Sequence, residues 1–387
     1  MSKLERFFLV GLVALVALAV AVIFIGPRLV NPSPLPDQPL AQGETETMVA
    51  HVIEVLEEGT VDLGGGSTQP YQRLLLHIEE GSLAGEEIAI EEGTINIISQ
   101  ERLFGPGDRV YVERAVGPDG DRFYISDFVR AGSLFWAVAL FVALVVLVGR
   151  GKGLRALGGT LFSLVVVFVF IVPQIIAGHD PIVVSIAGSI LLLAVSNYLI
   201  YGWNIKAHAA VAGMAISLVL TGLLAWLFVG WSRLTGMVAE ESAYLVMELG
   251  SGISLRGLLL GGIIIGAVGA LDDVCVGQVS VVFELLDANP DLEWVELFRR
   301  SFNVGRDHIA AMVNTLVLAY TGASLPLLLA FTLYQEPLWR RINREPIAEE
   351  IVRTLVGSMG LILAAPITTL IASLLARWAL ERDKETK

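Results

Sequence analysis

Long uncharged segments recur along this sequence, and they limit what it can fold into. Phe7–Ile25, Leu157–Ala177 and Ala209–Trp231 contain no charged residue. Each has about 20 residues, which is enough for a helix to cross the ~30 Å hydrocarbon core of a bilayer. Only 17% of the 387 residues are charged, against about 25% in soluble domains. These features predict a polytopic membrane protein and exclude a soluble enzyme, a disordered chain, a fibrous protein and a disulfide scaffold.

About eight segments are predicted to be transmembrane helices. They are Phe7–Ile25, Gly132–Val148, Leu157–Ala177, Ile182–Tyr201, Ala209–Trp231, Gly257–Val282, Ile309–Leu333 and Ile351–Ala376. Residues 1–28 are predicted to be an uncleaved N-terminal anchor, because the apolar run is longer than the core of a signal peptide and no small-x-small cleavage site follows it. Residues 131–387 are predicted to form a seven-helix transmembrane domain.

Residues 29–130 differ in both charge and periodicity. They contain six Arg, no Lys and nineteen Asp plus Glu, a net charge of 6 − 19 = −13, which equals that of the whole chain. Five short alternating or β-branched segments after Met48 predict a small β-barrel-like domain, which could be OB-like. An acidic surface excludes nucleic acid as a partner. It fits either a solubilised extracytoplasmic domain or one that captures calcium or a cationic ligand.

The loop between the sixth and seventh predicted spans contains an apolar-periodic segment. Leu292, Leu297 and Phe302 can share one helical face, and Asp291 can cap the helix. We expect a cytoplasmic amphipathic helix near residues 291–302, lying along the membrane surface. A similar helix is predicted for "EESAYLVMEL", before the sixth span.

The distribution of basic residues predicts the orientation in the cell membrane. With the N-terminus inside, inner segments carry thirteen Lys and Arg, and the helix ends and short loops outside carry seven. The positive-inside rule therefore predicts cytoplasmic termini and an extracytoplasmic domain at residues 29–130. The loop "PLWRRINREP" opposes this orientation, because it puts three arginines outside.

The sixth span contains small residues at steps of three and four. The stripe comprises Gly262, Gly266, Gly269 and Gly277, and Asp273 lies on it. Such stripes let membrane helices approach closely, so we expect the stripe and Asp273 to face the protein interior. Asp272 is rotated by about 100° and is expected to face a different neighbour.

An acid inside an apolar span is by default a candidate for moving protons or cations. We expect Asp273 to be the principal titrating group and Asp272 its modulator. Asn314 and Asp307, on one face of the seventh span, would form a relay or gate toward the cytoplasm. The alternative is that the two adjacent acids lie near the cytoplasmic interface and have a structural role.

One ion-pair cluster is predicted at the start of the last span. Arg353 follows Glu349 and Glu350 by four and three residues, a spacing that suits pairing on a helix. The sequence shows no Cys/His metal site, no phosphate loop and no Ser/His/Asp arrangement. We therefore expect no metal, no cofactor and no enzymatic activity.

Three segments resemble the YibE/F-like family of multispanning membrane proteins. They are "GAVGALDDV", "NVGRDHIAAMVNTLVLAYTGASLPLLLAF" and "EEIVRTLVGSMGLILAAPITTLIA". Members of that family often have a single acid before Val and a serine four residues later. Here Asp273 matches the acid, Asp272 precedes it and Gly277 replaces the serine. A weaker architectural likeness is to the SecD/SecF half of RND-type permeases, in which intramembrane acids couple proton flow to an outer domain.

Two functions remain open from the sequence. The first is a proton- or cation-coupled transporter or export accessory that uses the intramembrane acids. The second is a non-transporting scaffold or sensor whose outer domain binds a ligand or partner protein. Either would contact the lipid bilayer, and a homo-oligomer or an export partner protein is compatible with both.

Overall fold

The computed structural model describes residues 45–62, 68–94, 102–117, 120–238, 240–249, 254–333 and 335–385. The predicted anchor at residues 1–28 lies outside these ranges, as does the proline-rich segment after it. The described chain divides at Val145–Val146 into two compact units, a β unit before the division and a helical unit after it. Each unit has a hydrophobic core of its own.

The β unit is a five-stranded antiparallel sheet with strand order β3-β2-β1-β4-β5. Its strands are β1 (Thr45–Asp62), β2 (Thr68–Glu80), β3 (Glu87–Glu92), β4 (Arg109–Gly117) and β5 (Gly120–Phe128). Alternate residues of the strands are buried because successive side chains of a strand point to opposite faces. Met48, Ala50 and Val52 of β1 thus share one core with Leu74 and Leu76 of β2.

The expectation of a barrel is wrong, because the sheet is open. Within the described ranges, β3 and β5 are its two edges and no ladder joins them. β3 has only six residues, and it is joined to β5 by the side chain of Glu92 where a closed barrel would have a ladder of backbone hydrogen bonds. The buried carboxylate of Glu92 accepts a hydrogen bond from the Ile125 N–H at 2.8 Å. The two edges are therefore linked by one side chain and not by a closed set of backbone hydrogen bonds.

Glu92→Gln is expected to change how the stability of the β unit depends on pH. Burial raises the pKa of the Glu92 carboxyl, against the opposing effects of the Ile125 N–H and the Arg102 charge. The unfolded chain therefore loses this proton at a lower pH than the folded chain, so folding stability falls as pH rises through the folded pKa. The amide of glutamine accepts the same hydrogen bond and does not titrate.

The measurement is hydrogen exchange of the sheet amides in the full-length protein across this pH range. Relative to wild type, the stability of Glu92→Gln should be nearly equal below about pH 4 and greater at neutral pH. A stability difference that does not vary with pH would contradict the assignment.

The helical unit takes its helices from the chain after β5. They are α1 (Ala131–Val165), which crosses the division between the units, a π-helical turn (Val166–Ile171), α2 (Val172–Ile176), α3 (Pro181–Tyr201), α4 (Ile205–Trp231), α5 (Glu240–Leu249), α6 (Leu255–Ala288), α7 (Trp294–Ala323), α8 (Leu325–Thr332), α9 (Leu338–Ile342) and α10 (Glu345–Glu385). Capping residues set several helix starts: Asp180 accepts hydrogen bonds from the Ile182 and Val183 N–H groups, and Ser254 accepts one from the Gly257 N–H.

Five described helical segments are long and apolar enough to cross a membrane, or six if the bent pair α7 and α8 is one span. Seven of the eight predicted spans fall in the described residues, so these segments are one or two fewer than the sequence predicted there. The predicted first span lies outside the described residues. The predicted spans Gly132–Val148 and Leu157–Ala177 fall within one helical run, Ala131–Ile176. That run has 46 residues and would be about 69 Å long if straight.

Two local features interrupt this run. Arg150 has non-helical backbone angles (φ 48°, ψ −130°) and lies between the two predicted spans, flanked by glycines. The π-helical turn precedes Pro173, which lies at the start of α2. Proline lacks an N–H and crowds the carbonyl four residues earlier, so it disturbs the preceding turn of a helix.

The amphipathic helix predicted near residues 291–302 is helical from Trp294 and is continuous with the next predicted span. Residues 294–302 are the first turns of α7, which continues without a break to Ala323. Leu297 is fully buried in the helical core, whereas Val295 is exposed. A bend of 65° then separates α7 from α8 at Ser324, next to Pro326. The helix predicted for "EESAYLVMEL" is present as α5.

Packing within the helical unit gives its helices an alternating direction. Gly213 of α4 lies against Thr368 of α10, and Thr221 of α4 lies against Gly360 of α10, so these two helices are antiparallel. Asn197 contacts Asp272 and Ser185 approaches Gly261; α3 is therefore parallel to α6. The same reasoning makes α7 antiparallel to α6.

Candidate functional site

The small-residue stripe of α6 lies on an exposed face of the helical unit. Asp273, Gly262, Gly266 and Gly269 are exposed. A Cβ placed at Gly262, Gly269 or Gly277 would meet no atom within 4 Å, whereas one at Gly266 would lie 2.8 Å from the Tyr320 hydroxyl of α7. Asp273 and most of the stripe therefore do not face the interior formed by the described residues. The buried face of α6 is made mainly by Leu, Ile and Val side chains, and it also includes Gln278 and the small residues Gly257, Gly261 and Ala267.

Asp272 has the inward position that was expected of its neighbour. It is half-buried and is the eighteenth of the 34 residues of α6. Its Oδ1 accepts a hydrogen bond from Asn197 Nδ2 at 2.7 Å. Asn197 lies on α3, is only 1% exposed and also donates to the Leu193 carbonyl. Asn197 Oδ1 is buried and has no hydrogen-bond partner among the described residues. A carboxylate and an unsatisfied amide oxygen therefore lie together inside the bundle.

Further buried polar side chains continue from this pair toward α10. The hydroxyl of Thr368 donates to Cys275 Sγ at 3.1 Å. The hydroxyl of Thr369 contacts Gln278 Oε1 at 2.8 Å. We call Asn197, Asp272, Cys275, Gln278, Thr368 and Thr369 the polar seam. Only Asp272 of this group was among the predicted site residues, although Gln278 is itself a signal, because a buried amide in an apolar span requires a partner.

A cavity of about 130 Å³ connects the polar seam to the turn between α3 and α4. Asn197 forms its inner wall, and Tyr201, Asn204 and Lys206 line it toward the turn. Asn197 is only four residues from the end of α3, so the cavity bridges about one helical turn. The cavity therefore leads from one end of the helical unit to Asn197, the hydrogen-bond partner of Asp272.

The other predicted relay residues are not part of the polar seam. Asn314 and Asp307 lie on the exposed face of α7. No hydrogen bond joins Asn314 to Asp273 in the described part of the chain. The predicted ion-pair residues lie on α10, where Arg353 contacts Glu349 at 2.6 Å and also contacts Glu350. In the ranges that the structure covers, no group of three or more His, Cys, Asp and Glu side chains could hold a metal ion.

The fold and the site define a class, a multi-pass helical membrane protein with a sheet unit and polar side chains buried among its spans. Residues 137–378 match the family described as YibE/F-like protein. The match covers more than half of the chain, so the chain belongs to the YibE/F-like family. No curated protein matches the chain, and no solved structure matches it either. The likeness to SecD/SecF therefore receives no support.

Proposed function

We propose that this protein is a proton- or cation-coupled membrane transporter or export accessory, and that Asp272 is its titrating carboxylate. The observation that carries the proposal is the half-buried Asp272 bound to Asn197, which also lines a cavity. Acids in membrane spans are costly, by about 2.5–3.5 kcal/mol on insertion scales, and they commonly belong to ion or proton pathways. Asp273, which the sequence favoured, becomes the secondary group because it lies on the exposed face.

The access route follows from the same geometry. Tyr201, Asn204 and Lys206, together with alanine and valine side chains, line the cavity from the turn between α3 and α4 to Asn197. In the eight-span topology predicted from the sequence, in which the helices on either side of Arg150 cross the membrane separately, this turn and both termini are cytoplasmic and residues 29–130 are extracytoplasmic. We accordingly propose that Asp272 exchanges its proton or cation with the cytoplasm through this cavity.

The test compares the two adjacent acids in proteoliposomes that contain a trapped pH-sensitive dye. Under an imposed pH gradient and a membrane potential, Asp272→Asn should lower proton flux at least tenfold, because an amide cannot carry the proton. Asp273→Asn is the matched control, with the same chemical change one residue away, and should retain most of the flux. Wild-type flux no higher than that of protein-free vesicles, or loss of flux only in Asp273→Asn, would refute the proposal.

A scaffold or sensor is the second candidate, supported by the separate core of the β unit. A domain with its own core can bind a ligand or partner protein without help from the membrane helices. On this alternative, Asp272→Asn leaves the cellular function intact and deletion of residues 48–130 abolishes it. Either function is compatible with a homo-oligomer or an export partner in the bilayer.

A further inference from the structure

Two histidines lie side by side on the outer face of the β unit. His51 of β1 and His77 of β2 are directly opposite each other in the antiparallel register. Residues that are opposite in such a pair project from the same face of the sheet. Their chain neighbours Ala50, Val52 and Leu76 are buried in the core, so the two imidazoles are on the side away from it. Sequence motifs could not reveal this pair, because only strand pairing brings the two residues together.

The distance between the two rings suits a shared metal ion. The ring centroids of His51 and His77 are 5.2 Å apart, and the ring planes are inclined by 51°. An ion at about 2.0–2.1 Å from one nitrogen of each ring, with a tetrahedral angle between the two bonds, would hold the centroids about 5 Å apart. The two rings therefore need little movement to bind one ion together.

Glu79 fixes the direction of one of these rings. His51 Nδ1 is buried 3.2 Å from Glu79 Oε1, in an ion-pair contact and not an aligned hydrogen bond. Arg109 holds Glu79 in turn, with its Nε 2.8 Å and its Nη2 2.5 Å from Glu79 Oε2. The hydrogen bond from Arg109 is the main reason why the pKa of the Glu79 carboxyl is lowered, so this carboxyl is ionised at neutral pH. Since Nδ1 is buried while 37% of the His51 side chain is exposed, Nε2 is the nitrogen left for a ligand from solvent.

This arrangement of histidine and carboxylate is common at metal sites. A histidine that binds a metal usually donates its second ring N–H to a carboxylate, which sets the tautomer and the direction of the ring. Glu79 is placed to do this for His51. Imidazole nitrogens suit Zn²⁺, Cu²⁺ and Ni²⁺, whereas Ca²⁺ and Mg²⁺ prefer oxygen ligands. The net charge of −13 on residues 29–130 attracts any cation, and the two imidazoles restrict which cation is bound.

We propose that His51 and His77 bind a divalent transition-metal ion, with Glu79 orienting the ring of His51. Within the described ranges, no group of three or more His, Cys, Asp and Glu side chains could hold a metal, so water completes the coordination of this ion. The site is therefore open and exchanges its ion readily, unlike a closed structural zinc site. It departs from the sequence-based expectation of no metal. It gives the sensor alternative a ligand of stated chemistry and does not depend on the role of Asp272.

The test measures Zn²⁺ binding to the full chain, purified without a polyhistidine tag and placed in phosphatidylcholine nanodiscs. Competition with a zinc-sensitive dye should show saturable binding, after correction for empty nanodiscs. His51→Gln and His77→Gln should each raise the Kd for Zn²⁺ at least tenfold. His179→Gln, the same change in an exposed histidine just before α3, is the matched control and should leave the Kd unchanged. Hydrogen exchange of the sheet amides shows whether each variant is folded.

Two further measurements identify the ligands. Cu²⁺ bound to wild type should show both imidazole nitrogens in its electron paramagnetic resonance spectrum, and folded His51→Gln should show only one. Glu79→Gln should keep both nitrogens and raise the Kd for Zn²⁺ about tenfold, the effect expected when a histidine ligand loses its carboxylate partner. The proposal is overturned if wild type shows no saturable Zn²⁺ binding, if excess Ca²⁺ displaces Zn²⁺, or if either histidine variant binds Zn²⁺ like wild type.

Discussion

Gly213→Ala is expected to destabilise the helical unit by about 1–3 kcal/mol, the usual penalty for overpacking a close contact. A Cβ on Gly213 would overlap the side chain of Thr368, which lies directly against it. Thr368 cannot easily rotate away, because it is fully buried and its hydroxyl donates to Cys275. The measurement is unfolding of the full-length protein in mixed micelles.

The matched control for this prediction is Gly269→Ala on α6. A Cβ at Gly269 would meet nothing within 4 Å, so this variant should be as stable as wild type or slightly more stable, since alanine favours the helix. In the background of Gly213→Ala, Thr368→Ala should recover part of the loss, because it removes the overlapping atoms. Equal stabilities of Gly213→Ala and Gly269→Ala would show that α4 and α10 do not pack as described.

Asn197→Leu is expected to cost about 1.5–3 kcal/mol, the range for hydrogen bonds to charged groups. Asn197 supplies the hydrogen bond to Asp272 Oδ1, and leucine leaves that carboxylate among apolar side chains without this donor. The double variant Asn197→Leu/Asp272→Leu should regain most of the stability, because removing both partners is far less damaging than removing one. The same micelle unfolding measurement applies.

Ser189→Ala is the control for the Asn197 variant. Ser189 is also buried on α3, but its hydroxyl has no hydrogen-bond partner within the described ranges. Alanine at this position should therefore change the stability by well under the loss expected for Asn197→Leu. If Asn197→Leu unfolds at the same point as wild type, Asp272 is held by something other than Asn197, and the polar seam needs another explanation.

Local sequence patterns predicted where strands and helices form better than they predicted the number of membrane helices or whether the sheet closes into a barrel. The alternation around Met48, Ala50 and Val52 predicted a strand because side-chain period is a property of the strand itself. Barrel closure requires pairing between β3 and β5, which are far apart in sequence, and the Glu92 side chain that links them carries no local signature. The sequence does predict the break at Arg150, because Arg150, Lys152 and Arg155 separate two apolar segments.

The position of the two acids shows a similar limit. The sequence of α6 fixes the angle of about 100° between Asp272 and Asp273 but not which side of the helix faces its neighbours. The stripe of glycines suggested the side of Asp273. Other glycines also make close contacts in the bundle, among them Gly213 and Gly360, which lie on different helices, each against a threonine of the other helix. No pattern within one helix reveals such a reciprocal pair.

This reciprocal arrangement has a mechanical consequence. Each of the two helices contributes one glycine and one threonine, and on both α4 and α10 these two residues are eight positions, or about two turns, apart. Sliding one helix along the other would break both glycine–threonine contacts together. α4 and α10 therefore resist sliding along each other, and a rearrangement that changes the surroundings of Asp272 is expected from α3, whose Asn197 binds Asp272.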